Sequence, residues 1–166
     1  MTERFIFCIS LLVLVLSCIK EEEIPQDTSL QISLTASSSE LRLGEPLTVD
    51  IDVKNADSLF ALSFELHYGP AIFETETIIA GDLFIDPFLP INQKFLSDGE
   101  VPVVLGELDS IQGSANGRAC SIILTSEAVG TDFLYIRSLN MIKEGGSHID
   151  GFNTLSVEPI EVKVLQ

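Results

Sequence analysis

Two histidines, three cysteines and 25 acidic residues are the groups in this 166-residue sequence that could do chemistry. Acid–base or nucleophilic catalysis would need His67 or His148 beside a hydroxyl, thiol or carboxylate, because imidazole is the side chain that exchanges protons near neutral pH. His67 lies in an alternating stretch and His148 follows Gly145-Gly146, so neither has a partner at a diagnostic spacing. There is no His-x-x-x-His, no Cys-x-x-Cys and no glycine-rich phosphate loop. Paired acids flank the scissile bond in glycosidases, but with so many carboxylates chance pairs are unavoidable, and without Trp no sugar-stacking cleft is evident. Asp50 with Asp52, and Glu107 with Asp109, offer oxygen ligands suited to calcium, yet alternate positions on a strand do not wrap an ion. They read as a solvated acidic face. The sequence therefore predicts a protein with no catalytic residues, no metal and no cofactor.

The cysteines point to an address. Phe5 to Leu16 is apolar apart from Ser10; that is shorter than the roughly 20 residues of a membrane-spanning helix and the right size for a signal h-region. Val15-Leu16-Ser17-Cys18 resembles a bacterial lipobox, whose cysteine is diacylated and becomes the first residue of the mature chain. The resemblance implies a signal peptide over residues 1–17 and lipidation of Cys18. Each buried acyl methylene contributes about 0.8 kcal/mol, so several chains anchor the protein without a spanning helix. Residues 18–29, opening Cys18-Ile19-Lys20-Glu21-Glu22-Glu23, read as a solvated acidic tether. That opening is similar to the export signal of surface lipoproteins in the Bacteroidota. The expected location is the cell envelope, lipid-anchored at the outer membrane and surface-exposed. With Cys8 in the signal and Cys18 acylated, Cys120 is left unpaired, and its apolar neighbours Ile122 and Leu124 mark it as a small buried hydrophobe.

Net charge is −16, and removing residues 1–17 takes away one acid, Glu3, and one base, Arg4, so the acidity belongs to the mature chain. Such a surface repels phosphate backbones, which excludes nucleic acid as a partner. The rest, 30–166, is of a length that one core serves.

The elements that position these groups are strands. Apolar residues alternate at Leu30, Ile32 and Leu34, then at Leu47, Val49, Ile51 and Val53, then at Leu62, Phe64, Leu66 and Tyr68. Phe73 to Ile79, Val101 to Leu108, Ala119 to Thr125, Asp132 to Leu139 and Leu155 to Val164 are further candidates, separated by Gly, Pro, Asn and Asp turn signals. No stretch keeps an apolar stripe of period 3.6. Asp82 to Leu96, with two prolines, is expected to pack across a rim. The class is all-β: a sandwich of two antiparallel sheets.

The order of these signals from Leu30 to Val164 resembles a cohesin domain. Leu43-Gly44-Glu45-Pro46-Leu47-Thr48-Val49-Asp50-Ile51 is similar to the family's glycine-bearing approach to its second strand. Leu59 to Phe73 (LFALSFELHYGPAIF) is similar to its alternating strand, Tyr, turn and Pro signature, and Ala80-Gly81-Asp82-Leu83-Phe84 to the Gly-Asp that follows. Asn116-Gly117 and Gly130-Thr131, each before a strand, resemble its penultimate hairpin. The resemblance implies a nine-stranded jelly-roll sandwich that binds without catalysis, gripping a dockerin's helices on one sheet face. Where the family often carries Asn and Asp before the Tyr-turn-Pro signature, this chain has Ala61 and Ser63, and Gly69 stands at the usual Asp of the turn.

The exposed positions expected to form a partner-binding patch are Ala61, Ser63, Glu65 and His67 on one strand and Ser121, Ile123 and Thr125 on another. A dockerin-like protein, in a setting of polysaccharide breakdown, is the expected partner. A polysaccharide bound directly by the related carbohydrate-binding fold, and a purely structural surface domain, are the alternatives.

Overall fold

The computed structural model describes residues 30–56, 59–89, 99–107, 116–149 and 157–166. The signal, Cys18, the tether, residues 90–96 of the proline-bearing segment and Asp109 lie outside them.

Strict alternation of apolar and polar residues gives strands with one dry face, and two such sheets bury those faces against each other. Among the described residues ten strands result: β1 (Gln31–Ala36), β2 (Glu40–Arg42), β3 (Pro46–Lys54), β4 (Leu59–His67), β5 (Phe73–Ala80), β6 (Pro87–Phe88), β7 (Glu100–Glu107), β8 (Gly117–Ser126), β9 (Gly130–Lys143) and β10 (Ile160–Leu165). One sheet has the order β1-β3-β8-β5 and the other β2-β10-β9-β4-β7-β6. The resemblance implies nine; the eight stretches legible in the sequence are joined by β2 and β6, which at three and two residues are too short to show a period. Pairing is antiparallel except between β10 and β2, which run parallel. Pro87 lies on an edge strand, where a missing N–H costs no ladder bond.

Between the sheets lie Leu47, Val49, Ile51 and Val53 of β3, Ile122 and Leu124 of β8, Leu62, Phe64 and Leu66 of β4, and Val101, Val103 and Leu105 of β7, all buried. The rim expectation for residues 82–96 holds in its first part: Leu83 and Phe84 are buried, whereas Ile85 and Phe88 are exposed. That segment is held by Glu107, which is buried and not the solvated acid its charge suggests. Its two carboxylate oxygens accept hydrogen bonds from the backbone N–H of Ile85 at 3.0 Å and of Asp86 at 2.8 Å. Asp50 and Asp52 lie on the outer face of β3 and are paired with Arg118, whose Nη2 is 3.1 Å from Asp50 and whose Nε is 3.5 Å from Asp52.

Cys120 is fully buried on β8, as its apolar neighbours imply. Burial, aided by the Asp50 charge, pushes its thiol up to about 12, so almost none of the reactive thiolate exists at neutral pH. In protein lacking residues 1–18, where Cys120 is the sole thiol, a disulfide reagent is expected to titrate no thiol in the native state and one after denaturation. Stoichiometric labelling of the folded protein would contradict this.

A candidate partner-binding sheet face

The outer face of the six-stranded sheet is built by register. β4 pairs with β7 on one side and β9 on the other, so residues directly opposite one another stand in rows across three strands, and β6 extends the first row. That row is Phe88, Gly106, Ala61 and Ile142. The next is Val104, Ser63 and Asn140, followed by Pro102, Glu65 and Arg137, and last Glu100, His67 and Tyr135. Ala61, Ser63, Glu65 and His67 therefore share one face, as the alternation predicts, all of them half-buried by their neighbours.

β9 keeps its outward positions aligned across this face through a bulge. Between Arg137, opposite Glu65, and Asn140, opposite Ser63, it has one residue more than β4. Ser138 takes up the excess with a φ of 52°, the kink by which a bulge re-aims a side chain. Its hydroxyl donates to Glu65 Oε2 at 2.7 Å. That bond, with smaller contributions from His67 and Arg137, holds the Glu65 carboxyl below the usual range against its partial desolvation. His67 stacks on Tyr135, centroids 5.2 Å apart and rings 9° from parallel. The Arg137 guanidinium lies 5.0 Å from the centroid of the Tyr135 ring.

Character changes along the rows. The first is wholly apolar, with the smallest residues, Gly106 and Ala61, flanked by Phe88 and Ile142. Its centre carries little side chain, and Phe88 at its end and Val104 in the next row are about half exposed, at 51% and 49%. The last rows are charged and aromatic. Gly106 is not required by the fold: a Cβ there would meet nothing nearer than the Phe60 carbonyl oxygen at 3.5 Å. A strand glycine with room for a side chain is the kind that admits close approach of another backbone.

Ser121, Ile123 and Thr125 do not join this patch. They belong to β8, in the middle of the four-stranded sheet, and point outward on the opposite side of the sandwich. The expected single patch is two. Ser121 donates to Asp50 at 2.6 Å in a cleft of mixed character, lined by Asp52, Lys54, Asp82 and Arg118 together with Val53 and Ile79 and, among the described residues, by no aromatic side chain.

The departure at Gly69 has a local cause. Its backbone N–H donates to the Asp132 carboxylate, and a Cβ on Gly69 would come within 2.9 Å of that group. Asp132 supplies from β9 the carboxylate that the turn itself lacks.

No protein-family model matches the chain, and no curated protein matches it. Solved structures do. A type II cohesin domain from the cellulosome of Acetivibrio cellulolyticus superposes with a TM-score of 0.65 at 14% identity, covering 81% of this chain and 95% of that one. A non-cellulosomal cohesin from the hyperthermophilic archaeon Archaeoglobus fulgidus gives 0.63 at 16% identity, over 83% and 92%. The third cohesin of ScaC from Acetivibrio cellulolyticus, solved in complex with the ScaB dockerin, gives 0.64 at 19% identity, over 83% and 100%. Two sheets in this order, with no helix among the described residues, are thus the cohesin fold, a jelly-roll sandwich on which the face centred on β4 is the candidate site.

Proposed function

We propose that this protein is a non-catalytic interaction module of the bacterial cell envelope, anchored by lipid at Cys18, that receives a dockerin-like helical partner on the outer face of its six-stranded sheet. The observation that carries the reading is the apolar row Phe88, Gly106, Ala61 and Ile142, with small residues at its centre. A helix can approach closely over Gly106 and Ala61 while Phe88 and Ile142 grip its sides, and interface cores are apolar and depleted in charge. Charged and aromatic groups at Glu65, Arg137 and Tyr135 form the polar rim. The cohesin fold supports the same reading, since relatives of this fold are solved with dockerins bound. Ala61 and Ser63 make the contact more apolar than Asn and Asp would. The cleft on the other sheet has hydrogen-bonding groups but, among the described residues, no aromatic ring for a sugar to stack on, which disfavours direct polysaccharide binding.

Calorimetric titration against the dockerin-type modules of the same genome, and in parallel against soluble polysaccharides, tests this. Saturable one-to-one binding of at least one module is expected, with amide-exchange protection on β4, β7 and β9. Binding of a polysaccharide alone, or of neither class, would contradict it.

A further inference from the structure

The charged end of the same face holds a donor set that no sequence spacing announces. Glu65 and His67 are alternate residues of β4, and Glu100 of β7 lies directly opposite His67. One ligand atom from each of the three lies within 4.8 Å of the other two. We infer that Glu65, His67 and Glu100 form a binding site for a divalent transition ion of the zinc type, with one imidazole and two carboxylates as protein ligands.

Spacing, orientation and chemistry agree on this. His67 Nε2 stands 3.5 Å from Glu65 Oε2, long for a charge-assisted hydrogen bond, which runs nearer about 2.8 Å. It is close to the roughly 3.3 Å that separates two ligands of a tetrahedral ion with arms of about 2.0–2.1 Å. Each ligand on β4 has a neighbour that restrains it. Ser138 donates to Glu65 Oε2, the oxygen that also faces His67, a hydrogen-bonded support of the kind metal ligands generally have, and Tyr135 stacks on the His67 ring and limits its rotation. Glu100 is exposed and already brings a carboxylate oxygen within 4.8 Å of the other two ligand atoms. Arg137, opposite Glu65, lies over the Tyr135 ring, and the two carboxylates outnumber its charge. Nitrogen and oxygen donors together suit zinc better than calcium or magnesium, which take oxygen alone. Three protein ligands leave a fourth position open towards solvent, available to water or to a side chain of whatever docks on this face. The site stands on its own residues, whether or not a dockerin-like partner binds.

The test uses metal alone on the full chain in detergent, stripped of metal and carrying no affinity tag. Zinc is titrated by calorimetry and cobalt by visible absorption. Because the sequence has only two histidines, imidazole resonances report which one is bound. Saturable one-to-one binding is expected, shifting His67 and not His148. His67→Ala is expected to weaken it at least 100-fold, and Ser138→Ala, which removes only the outer support, about tenfold. Glu100→Gln changes an exposed residue and leaves the fold intact; it is expected to weaken binding at least tenfold. No saturable binding by the wild type, binding centred on His148, or affinity unchanged in both His67→Ala and Glu100→Gln would overturn the site.

Discussion

Gly81→Ala is expected to cost about 3 kcal/mol of stability, at the upper end of what overpacking does, and to lower the melting temperature by about 10 °C in a domain of this size. A Cβ on Gly81 would lie 2.1 Å from the Arg118 carbonyl oxygen and 2.6 Å from its carbon. Neither chain can retreat. Gly81 donates its N–H to Ala119 at 2.9 Å, Leu83 donates to the Arg118 carbonyl at 2.9 Å, and the Asp82 carboxylate accepts from the Arg118 N–H at 2.7 Å. Arg118 is itself registered against Asp52 in the ladder between β3 and β8. Moving Gly81 outward would break these bonds and draw Leu83 and Phe84 from the core. The contrasting substitution is Gly106→Ala, whose added Cβ meets only ordinary contacts and reduces the entropy of the unfolded chain. It should leave stability unchanged or slightly higher. Chemical denaturation of the two variants beside wild type separates these outcomes; equal destabilisation by both would contradict the assignment of Gly81 to close packing and Gly106 to the open face.

The Gly-Asp pair at 81–82 was visible in the sequence only as a motif, whereas the structure gives it a physical reason. Other features divide along the same line. Strands β3 and β4 are legible because long alternation leaves one register in which their inward apolar side chains are all buried. β10 is described from Ile160, with Leu155 of its apolar pattern outside the described residues, and β9 runs beyond Leu139 to Lys143. The bulge at Ser138 hides that extension by breaking the period. Glu107 shares inward parity with Val101, Val103 and Leu105 on β7, and this was the available sign that it is buried. Its charge argued the other way, and only the two N–H donors of Ile85 and Asp86 resolve the conflict.

For the site, alternation showed which side chains of one strand share a face but not which strands share a sheet. That is why it places Ala61, Ser63, Glu65 and His67 together, as β4 does, and has no means of telling that Ser121, Ile123 and Thr125 stand on the other sheet, where β8 pairs with β3 and β5. The neighbours that complete the face, among them Gly106, Ile142, Tyr135 and Glu100, come from β7 and β9 and depend on the same long-range pairing. A glycine at mid-strand was the one local signal for them.

The central claim, that this face and not the opposite one receives the partner, is tested most directly by placing one charge on each. Ala61 sits at the centre of the apolar row, and an arginine there would add bulk and bring a charge to a desolvated contact. Loss at such a central position typically reaches 2–4 kcal/mol. Ile123, on the outer face of the four-stranded sheet, is the matched control. Each variant is titrated calorimetrically with a dockerin-type module that binds the wild type, after its melting temperature has shown that it is folded. Ala61→Arg is expected to weaken binding at least 100-fold, about 2.7 kcal/mol, and Ile123→Arg to stay within about threefold of wild type. Equal affinity for both variants, or a loss confined to Ile123→Arg, would contradict the account.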